Sequence, residues 1–333
     1  MRSLSKSLSF GLALIACFAD RSVAEDKAPT AKKPAAKADA APAPAARRRT
    51  PPTEANVPYG KHPKQVVDFY KAESAAPTPV LLNIHGGGWS GGSKDSIAPD
   101  SYLRAGISVV SVEYRLLKEA TAEGVVPPVK GPLGDSARAL QFVRSKAKEW
   151  NLDKNRIVAT GSSAGACTCL WLAFHDDMAD PNSDDPVARE STRLSRVAVG
   201  GAQTSLDPKQ MKEWTPNSFY GGHAFGFVPD PTTKRSQFEV FLAEREKILP
   251  WIKEYSPYEL VTRDDPPVAL FYGSAPEMGK DAKDPTHATN FGLALQEKCK
   301  EVGVECRLVY PGSPDAEYPV VHQFLLAKLK PTK

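Results

Sequence analysis

The chain has 333 residues, of which 41% are hydrophobic and 25% are charged, and its formal net charge is +4 at pH 7. The first 55 residues carry a net charge of +5, which leaves −1 for residues 56–333. Because a nucleic-acid-binding domain needs a basic surface of its own, this distribution predicts no nucleic-acid partner. The remaining 278 residues suffice for one α/β domain with a large core.

The N-terminal segment has the pattern of an export signal. Two basic residues precede the apolar stretch Leu8–Ala19, which is too short to span a bilayer comfortably, and Ser22-Val23-Ala24 supplies the small residues of a cleavage site. We therefore predict a signal peptide over residues 1–24 and a secreted or periplasmic protein. A second interpretation stays open, because Leu14-Ile15-Ala16-Cys17 fits a lipobox, and lipid on Cys17 would attach the protein to a membrane.

Residues 25–55 have the composition of a disordered linker. They include eleven alanines, six prolines and seven basic residues. Without large apolar side chains to bury, such a segment does not offset the entropy cost of ordering. Its basic character would suit an acidic polymer or a membrane surface, and a plain solvated spacer is the alternative. The folded domain is then predicted to cover residues 56–333.

From residue 56 onward, short apolar runs alternate with amphipathic stretches. This alternation predicts a mostly parallel sheet flanked by helices. The predicted helices cover residues 133–149, 164–175, 288–302 and about 319–329. The predicted strands are Gln65–Phe69, Val80–Ile84, Ser108–Glu113, Arg156–Thr160, Val197–Gly201, Val268–Tyr272 and Glu305–Tyr310.

The first motif that indicates chemistry is His85-Gly86-Gly87-Gly88-Trp89, directly after the predicted strand Val80–Ile84. A run of glycines exposes backbone N–H groups, which acyl transfer needs to stabilise the oxygen that becomes negative in the tetrahedral intermediate. A phosphate-binding loop would instead require Gly-Lys-Ser/Thr, which this segment lacks.

The second motif is Gly161-Ser162-Ser163-Ala164-Gly165, which lies between the predicted strand Arg156–Thr160 and an apolar helix. Strand, G-x-S-x-G turn and helix form the context of a nucleophile elbow, in which a tight turn presents the central serine. Alone, the pattern also fits a glycine-rich turn with no catalytic role. The two motifs together predict an α/β-hydrolase fold.

On these motifs, residues 56–333 resemble α/β-hydrolases of the esterase/lipase type, and especially bacterial feruloyl/acetyl-xylan-esterase-like proteins. The resemblance implies Ser163 as the nucleophile and the N–H groups of Gly87, Gly88 and Ala164 as the oxyanion hole. It also implies that no metal or cofactor is needed. The expected substrate is a small-molecule or polysaccharide-linked ester.

Residues 203–262 interrupt the simple alternation of strands and helices. They are rich in aromatic residues and include Gly221-Gly222 and several prolines. In this fold, insertions near the carboxyl ends of the strands cover the active site. We predict a cap-like insertion that lines the substrate pocket, and a small hydrophobic cluster beneath a long loop is an equal alternative.

The acid of a serine-hydrolase triad is expected in the loop after the predicted strand Val268–Tyr272, since serine, acid and histidine follow in that order in this fold. Pro276 occupies the position where the family usually has this acid. Counting back from Gly303, as the family's spacing implies, leads to Asp284, with Glu277 and Asp281 as alternatives.

The resemblance implies a histidine just after the last strand, but the loop after Pro311-Gly312 contains none. The first histidine is His322, which precedes Leu325, Leu326 and Leu329 at helical spacing. We predict that His322 lies on the inward face and is the base, and a structural core histidine is the alternative. His287 and His223 are weaker substitutes, and His85 is expected to brace the glycine loop.

These residues support two hypotheses of different classes. The first is a serine hydrolase that cleaves carboxylic esters with Ser163, Asp284 and His322. The second is an α/β-hydrolase-like binding protein that keeps the pocket but has lost the base. The distance from the Ser163 hydroxyl to the nearest imidazole nitrogen distinguishes the two.

Overall fold

The computed structural model describes residues 50–314 and 317–329. The predicted signal peptide, Cys17 and the predicted linker up to residue 49 lie outside the described residues. Among the helices of the described part, none is long and apolar enough to cross a bilayer.

The described residues form one sheet of eight strands, in the order β1-β2-β4-β3-β5-β6-β7-β8. Strand β2 pairs antiparallel with β1 and β4, and all other neighbours are parallel. Every residue of β3 and β4 is buried, as expected for parallel strands covered on both faces. The strands are β1 (Glu54–Pro58), β2 (Val66–Tyr70), β3 (Thr78–Ile84), β4 (Ser108–Val112), β5 (Leu152–Ser162), β6 (Arg196–Gly200), β7 (Val268–Phe271) and β8 (Cys306–Val309).

Helices cover both faces of the sheet and form two buried clusters. The larger cluster includes side chains of α3, α5 and α10, and the smaller one includes side chains of α1 and α11. The helices are α1 (Asp100–Arg104), α2 (Leu117–Ala122), α3 (Lys130–Ser145), α4 (Ala147–Trp150), α5 (Ala164–Phe174), α6 (Pro208–Trp214), α7 (Gln237–Ala243), α8 (Leu249–Tyr255), α9 (Pro257–Leu260), α10 (Thr289–Val302) and α11 (Val321–Leu329).

The predicted fold class is confirmed, and all seven predicted strands are present. The sequence prediction missed β1, an exposed edge strand that begins before the predicted domain start at residue 56. The helix predicted over 133–149 is two helices, because the backbone breaks at Lys146 between α3 and α4.

The predicted insertion at residues 203–262 contains α6 to α9. Most of its aromatic side chains, among them Phe225, Phe238 and Phe241, join the larger core cluster instead of forming a separate one. Near its middle, Tyr220 and His223 contact the glycine loop, since a Cβ on Gly88 would lie 3.5 Å from His223 Nε2 and 3.9 Å from the Tyr220 hydroxyl. The insertion is therefore partly core and partly a wall of the site described below.

Candidate active site

The G-x-S-x-G segment forms a sharp turn between β5 and α5. Ser163 has φ +53° and ψ −126°, a backbone conformation that residues with a side chain rarely adopt. Its N–H donates to the carbonyl of Gly200 at the end of β6 over 3.0 Å. The turn places Ser163 at the carboxyl edge of the sheet, as a nucleophile elbow requires.

The flanking glycines are required by close backbone contacts. A Cβ on Gly161 would lie 2.5 Å from the carbonyl oxygen of Ile84, and one on Gly165 would lie 2.2 Å from the same oxygen and 2.6 Å from that of His85. The elbow thus packs directly against the end of β3, where the histidine–glycine motif begins. The two motifs are coupled sterically.

We expect Gly165→Ala to lower the free energy of unfolding by about 3 kcal/mol or more, because the new methyl group would overlap two backbone oxygens that do not move freely. Gly134→Ala in α3 is the matched control. Gly134 is exposed, with no atom within 4 Å of a Cβ at that position. The control should therefore raise stability by about 0.5–1 kcal/mol. Urea denaturation of both variants measures the contrast, and equal effects would contradict the steric coupling.

The glycine loop after β3 has an unusual backbone conformation. Gly87, Gly88 and Trp89 all have positive φ, at +106°, +60° and +54°. Across the residues that the structure describes, the N–H groups of Gly87, Gly88 and Ala164 donate to no protein acceptor. These are the three donors that the sequence resemblance implies for the oxyanion hole.

Side chains from three elements hold this loop. Trp89 Nε1 donates to Thr168 Oγ1 of α5 over 3.0 Å, and His223 Nε2 lies 3.1 Å from the carbonyl of Gly88. His85 stacks on Tyr114 with 4.1 Å between ring centroids, and its Nδ1 lies 2.9 Å from the carbonyl of Gly86. Burial lowers the pKa of both histidines, which favours neutral rings. Each then donates one N–H to a loop carbonyl.

The imidazole beside Ser163 belongs to His287. Its Nε2 lies 3.0 Å from Ser163 Oγ, and its Nδ1 lies 2.8 Å from Oδ2 of Asp284. Asp284 caps the 3₁₀ turn Pro285–His287, because its Oδ1 also accepts from the backbone N–H of His287 over 3.3 Å. Serine, histidine and aspartate are thus connected by hydrogen bonds, and two of the three come from one loop between β7 and α10.

The structure corrects the prediction for His322. This residue is exposed on α11, and its ring packs edge-on against Tyr102 at 4.9 Å, not against Ser163. The buried face of α11 is formed by Phe324, Leu325 and Leu329. His322 shares a side of the helix with Leu325 and Leu329, but it lies in the first turn of α11, where its side chain is exposed. Helical periodicity therefore does not turn it toward Ser163, and the prediction of His322 as the base is wrong.

Of the three candidate acids, Asp284, Glu277 and Asp281, the structure brings Asp284 into contact with a histidine. Asp284 contacts His287, as the predicted position requires, whereas Glu277 forms an ion pair with Lys280 over 3.0 Å. Asp281 is exposed. Partial burial raises the pKa of Asp284, but the hydrogen bonds and charge of His287 outweigh burial and bring this pKa below its usual value. Its carboxylate is therefore ionised at neutral pH and orients the imidazole.

A cavity of about 690 Å³ lies beside this loop. Polar and charged residues line it, including Ser274, Lys280, Asn290 and the aspartate–histidine pair itself. The Asp284 side chain is 63% exposed. The acid side of the triad is therefore open to solvent.

A family model for BD-FAE matches residues 67–281. The chain belongs to the BD-FAE family, an esterase-type family of the α/β-hydrolase fold. The BD-FAE match contains both glycine motifs and ends three residues before Asp284. Neither Asp284 nor His287 is therefore within the region on which membership depends.

Two of the individual relatives are named as esterases. The chain is 27% identical to esterase LipC of Mycobacterium tuberculosis over 244 residues, which are 69% of this chain and 53% of LipC. It is 34% identical to gut esterase 1 of Caenorhabditis elegans over 119 residues, 32% of this chain and 20% of that protein. The chain thus spans about half or less of the length of these two relatives.

Solved structures share the fold. An acetyl ester-xyloside bifunctional hydrolase from Caldicellulosiruptor lactoaceticus superposes with a TM-score of 0.56 at 22% identity, covering 79% of this chain and 87% of that chain. At this identity the likeness establishes the α/β-hydrolase fold.

Proposed function

We propose that this BD-FAE protein hydrolyses carboxylic esters, with Ser163 as nucleophile, His287 as general base and Asp284 as the orienting acid. The observation that carries the proposal is the 3.0 Å contact between Ser163 Oγ and His287 Nε2, continued at 2.8 Å to Asp284. A serine hydroxyl attacks an ester effectively when a histidine removes its proton and an acid holds that histidine.

In the first half-reaction, Ser163 Oγ attacks the ester carbonyl while His287 Nε2 accepts the hydroxyl proton. The carbonyl oxygen becomes negative and receives hydrogen bonds from the N–H groups of Gly87, Gly88 and Ala164. When the tetrahedral intermediate collapses, the bond to the alcohol oxygen breaks, and His287 returns its proton to the departing alcohol. Asp284 stabilises the imidazolium in between.

In the second half-reaction, water attacks the acyl group on Ser163. His287 accepts a proton from this water and then donates it to Ser163 Oγ as the acid departs. The substrate class within this reaction is proposed as an ester of a small molecule or of a carbohydrate. Its support is the fold shared with a protein described as an acetyl ester-xyloside bifunctional hydrolase.

Hydrolysis of p-nitrophenyl acetate and butyrate tests the proposal. Wild-type protein should release p-nitrophenol in both assays, and Ser163→Ala should reduce kcat to near the background rate. Equal rates above background for the two proteins would exclude Ser163 as the nucleophile. No activity of the wild type toward esters that vary in acyl chain and alcohol would favour the alternative of a binding protein without catalysis.

The oxyanion hole is tested by Gly87→Ala. A Cβ at Gly87 would lie 2.4 Å from the carbonyl oxygen of Gly91, and φ is +106°, so the loop must shift and its N–H groups lose their direction. We expect kcat to fall by about 10²–10³-fold, the usual effect of losing one donor. Gly91→Ala is the control in the same loop, since no atom lies within 4 Å of a Cβ there, and its kcat should stay close to wild type. A similar fall for both would contradict the assignment.

A further inference from the structure

A buried side chain that follows β6 donates a hydrogen bond to the loop that carries Asp284 and His287. Gln203, just past the end of β6, is 0% exposed. Its Nε2 donates to the carbonyl of Thr286 over 2.7 Å and to the carbonyl of Gly201 over 3.2 Å. Thr286 lies between Asp284 and His287, so the shorter of the two hydrogen bonds holds the peptide group that joins Thr286 to His287.

The same segment of chain supports the ring. Gly201 has φ +57°, and a Cβ there would lie 3.3 Å from Cδ2 of His287. The imidazole therefore packs against the Gly201 backbone, which is anchored in turn by an N–H donated to the carbonyl of Phe271 over 2.9 Å. Gly201 and Gln203 together form a platform under His287.

The oxygen atom of the Gln203 amide, Oε1, is buried and has no hydrogen-bond partner among the described residues. A buried acceptor without a partner costs free energy, and an apolar side chain of similar shape would avoid this cost. The two hydrogen bonds donated by Nε2 offset this cost. One of them is made to the loop that carries His287.

We propose that Gln203 is a positioning residue for His287, which holds the Thr286 carbonyl so that Nε2 stays directed at Ser163. This inference rests on the proposed function. Catalytic geometry is sensitive to small displacements, because a shift of about 1 Å can reduce the rate by about 10²-fold.

Gln203→Met tests the inference, since methionine fills a similar volume and removes both donors. We expect kcat for p-nitrophenyl acetate to fall by about 10- to 100-fold with little change in KM. Gln141→Met is the matched control. Gln141 is also a buried glutamine, and its Nε2 faces the carbonyls of Met178, Ala188 and Glu190 at 2.9–3.4 Å. The control should lower the melting temperature and leave kcat unchanged. Equal kcat for Gln203→Met and wild type, or an equal loss in both variants, would overturn the inference.

Gln203→Glu adds a readout that depends on pH. A protonated carboxyl group can donate to the Thr286 carbonyl, whereas a carboxylate repels it. The ratio of kcat in Gln203→Glu to kcat in wild type should therefore be highest at low pH and fall as pH rises. A ratio that does not vary with pH would contradict positioning through this hydrogen bond.

Failure of the proposed function is distinguishable from failure of this inference. A wild type without esterase activity would refute the function, and the platform would still be testable by the low-field proton resonance of His287 Nδ1–H. That resonance should broaden or disappear in Gln203→Met and persist in Gln141→Met. Persistence in both would overturn the inference independently of turnover.

Discussion

His287→Ala should reduce kcat for p-nitrophenyl acetate by about 10⁴- to 10⁶-fold, the loss typical of removing the histidine of a serine-hydrolase triad. The reason is that the imidazole of His287 lies within hydrogen-bond distance of Ser163, with 3.0 Å between Nε2 and Oγ. Without this base, the hydroxyl keeps its proton, and the oxyanion hole and substrate binding alone provide the residual rate.

His322→Ala is the control for this experiment, because His322 is the first histidine after the last strand, where the family resemblance places the base. It is exposed and packs on Tyr102, so its replacement should leave kcat near wild type. The reverse result, with activity lost in His322→Ala and kept in His287→Ala, would restore the sequence-based assignment and contradict the geometry.

Asp284→Asn should lower kcat by about 10³-fold and leave KM largely unchanged. An asparagine can present its amide N–H to Nδ1 and thereby favour the wrong tautomer, which costs about 10⁴-fold in a buried triad. We expect a smaller effect here, because the Asp284 side chain is 63% exposed and water can partly replace it. Stopped-flow or steady-state rates with p-nitrophenyl butyrate measure the loss.

Asp281→Asn and Glu277→Gln provide the controls for Asp284. Both residues lie in the same loop, and Glu277 pairs with Lys280 rather than with a histidine. Neither change should reduce kcat more than slightly. A loss in either control that equals the loss in Asp284→Asn would indicate that the loop's overall charge matters, not one oriented carboxylate.

Much of the fold follows from the sequence because its strands are buried on both faces. Runs such as Thr78–Ile84 and Ser108–Val112 are mostly apolar, and all their residues are buried. β1 was missed for the opposite reason, since its residues are mostly exposed and resemble the preceding linker.

The elbow and the glycine loop could be predicted from the two glycine motifs because a residue with a side chain would overlap neighbouring backbone atoms there. No other residue fits at Gly165, where a Cβ would lie 2.2 Å from a backbone oxygen. Such contacts depend on local chain geometry, so a sequence pattern captures them well.

The histidine could not be placed from chain order, since a base can reach Ser163 from more than one loop. The signal that would have identified His287 is local. The segment Asp284-Pro285-Thr286-His287 has an aspartate directly before a proline, a combination typical of the start of a short helical turn. Such a turn brings the residue three positions after the aspartate close to its carboxylate. The structure shows this turn, and the backbone N–H and Nδ1 of His287 both face Asp284.

Covalent labelling with a fluorophosphonate tests most directly whether Ser163 is activated by His287. Attack of Ser163 Oγ on phosphorus releases fluoride and leaves a stable adduct, which peptide mass spectrometry assigns to a residue. We predict stoichiometric labelling of Ser163 in wild type and His322→Ala, and labelling slowed by several orders of magnitude in His287→Ala. An unlabelled Ser163 in wild type, or labelling at the same rate in His287→Ala, would contradict the proposed triad.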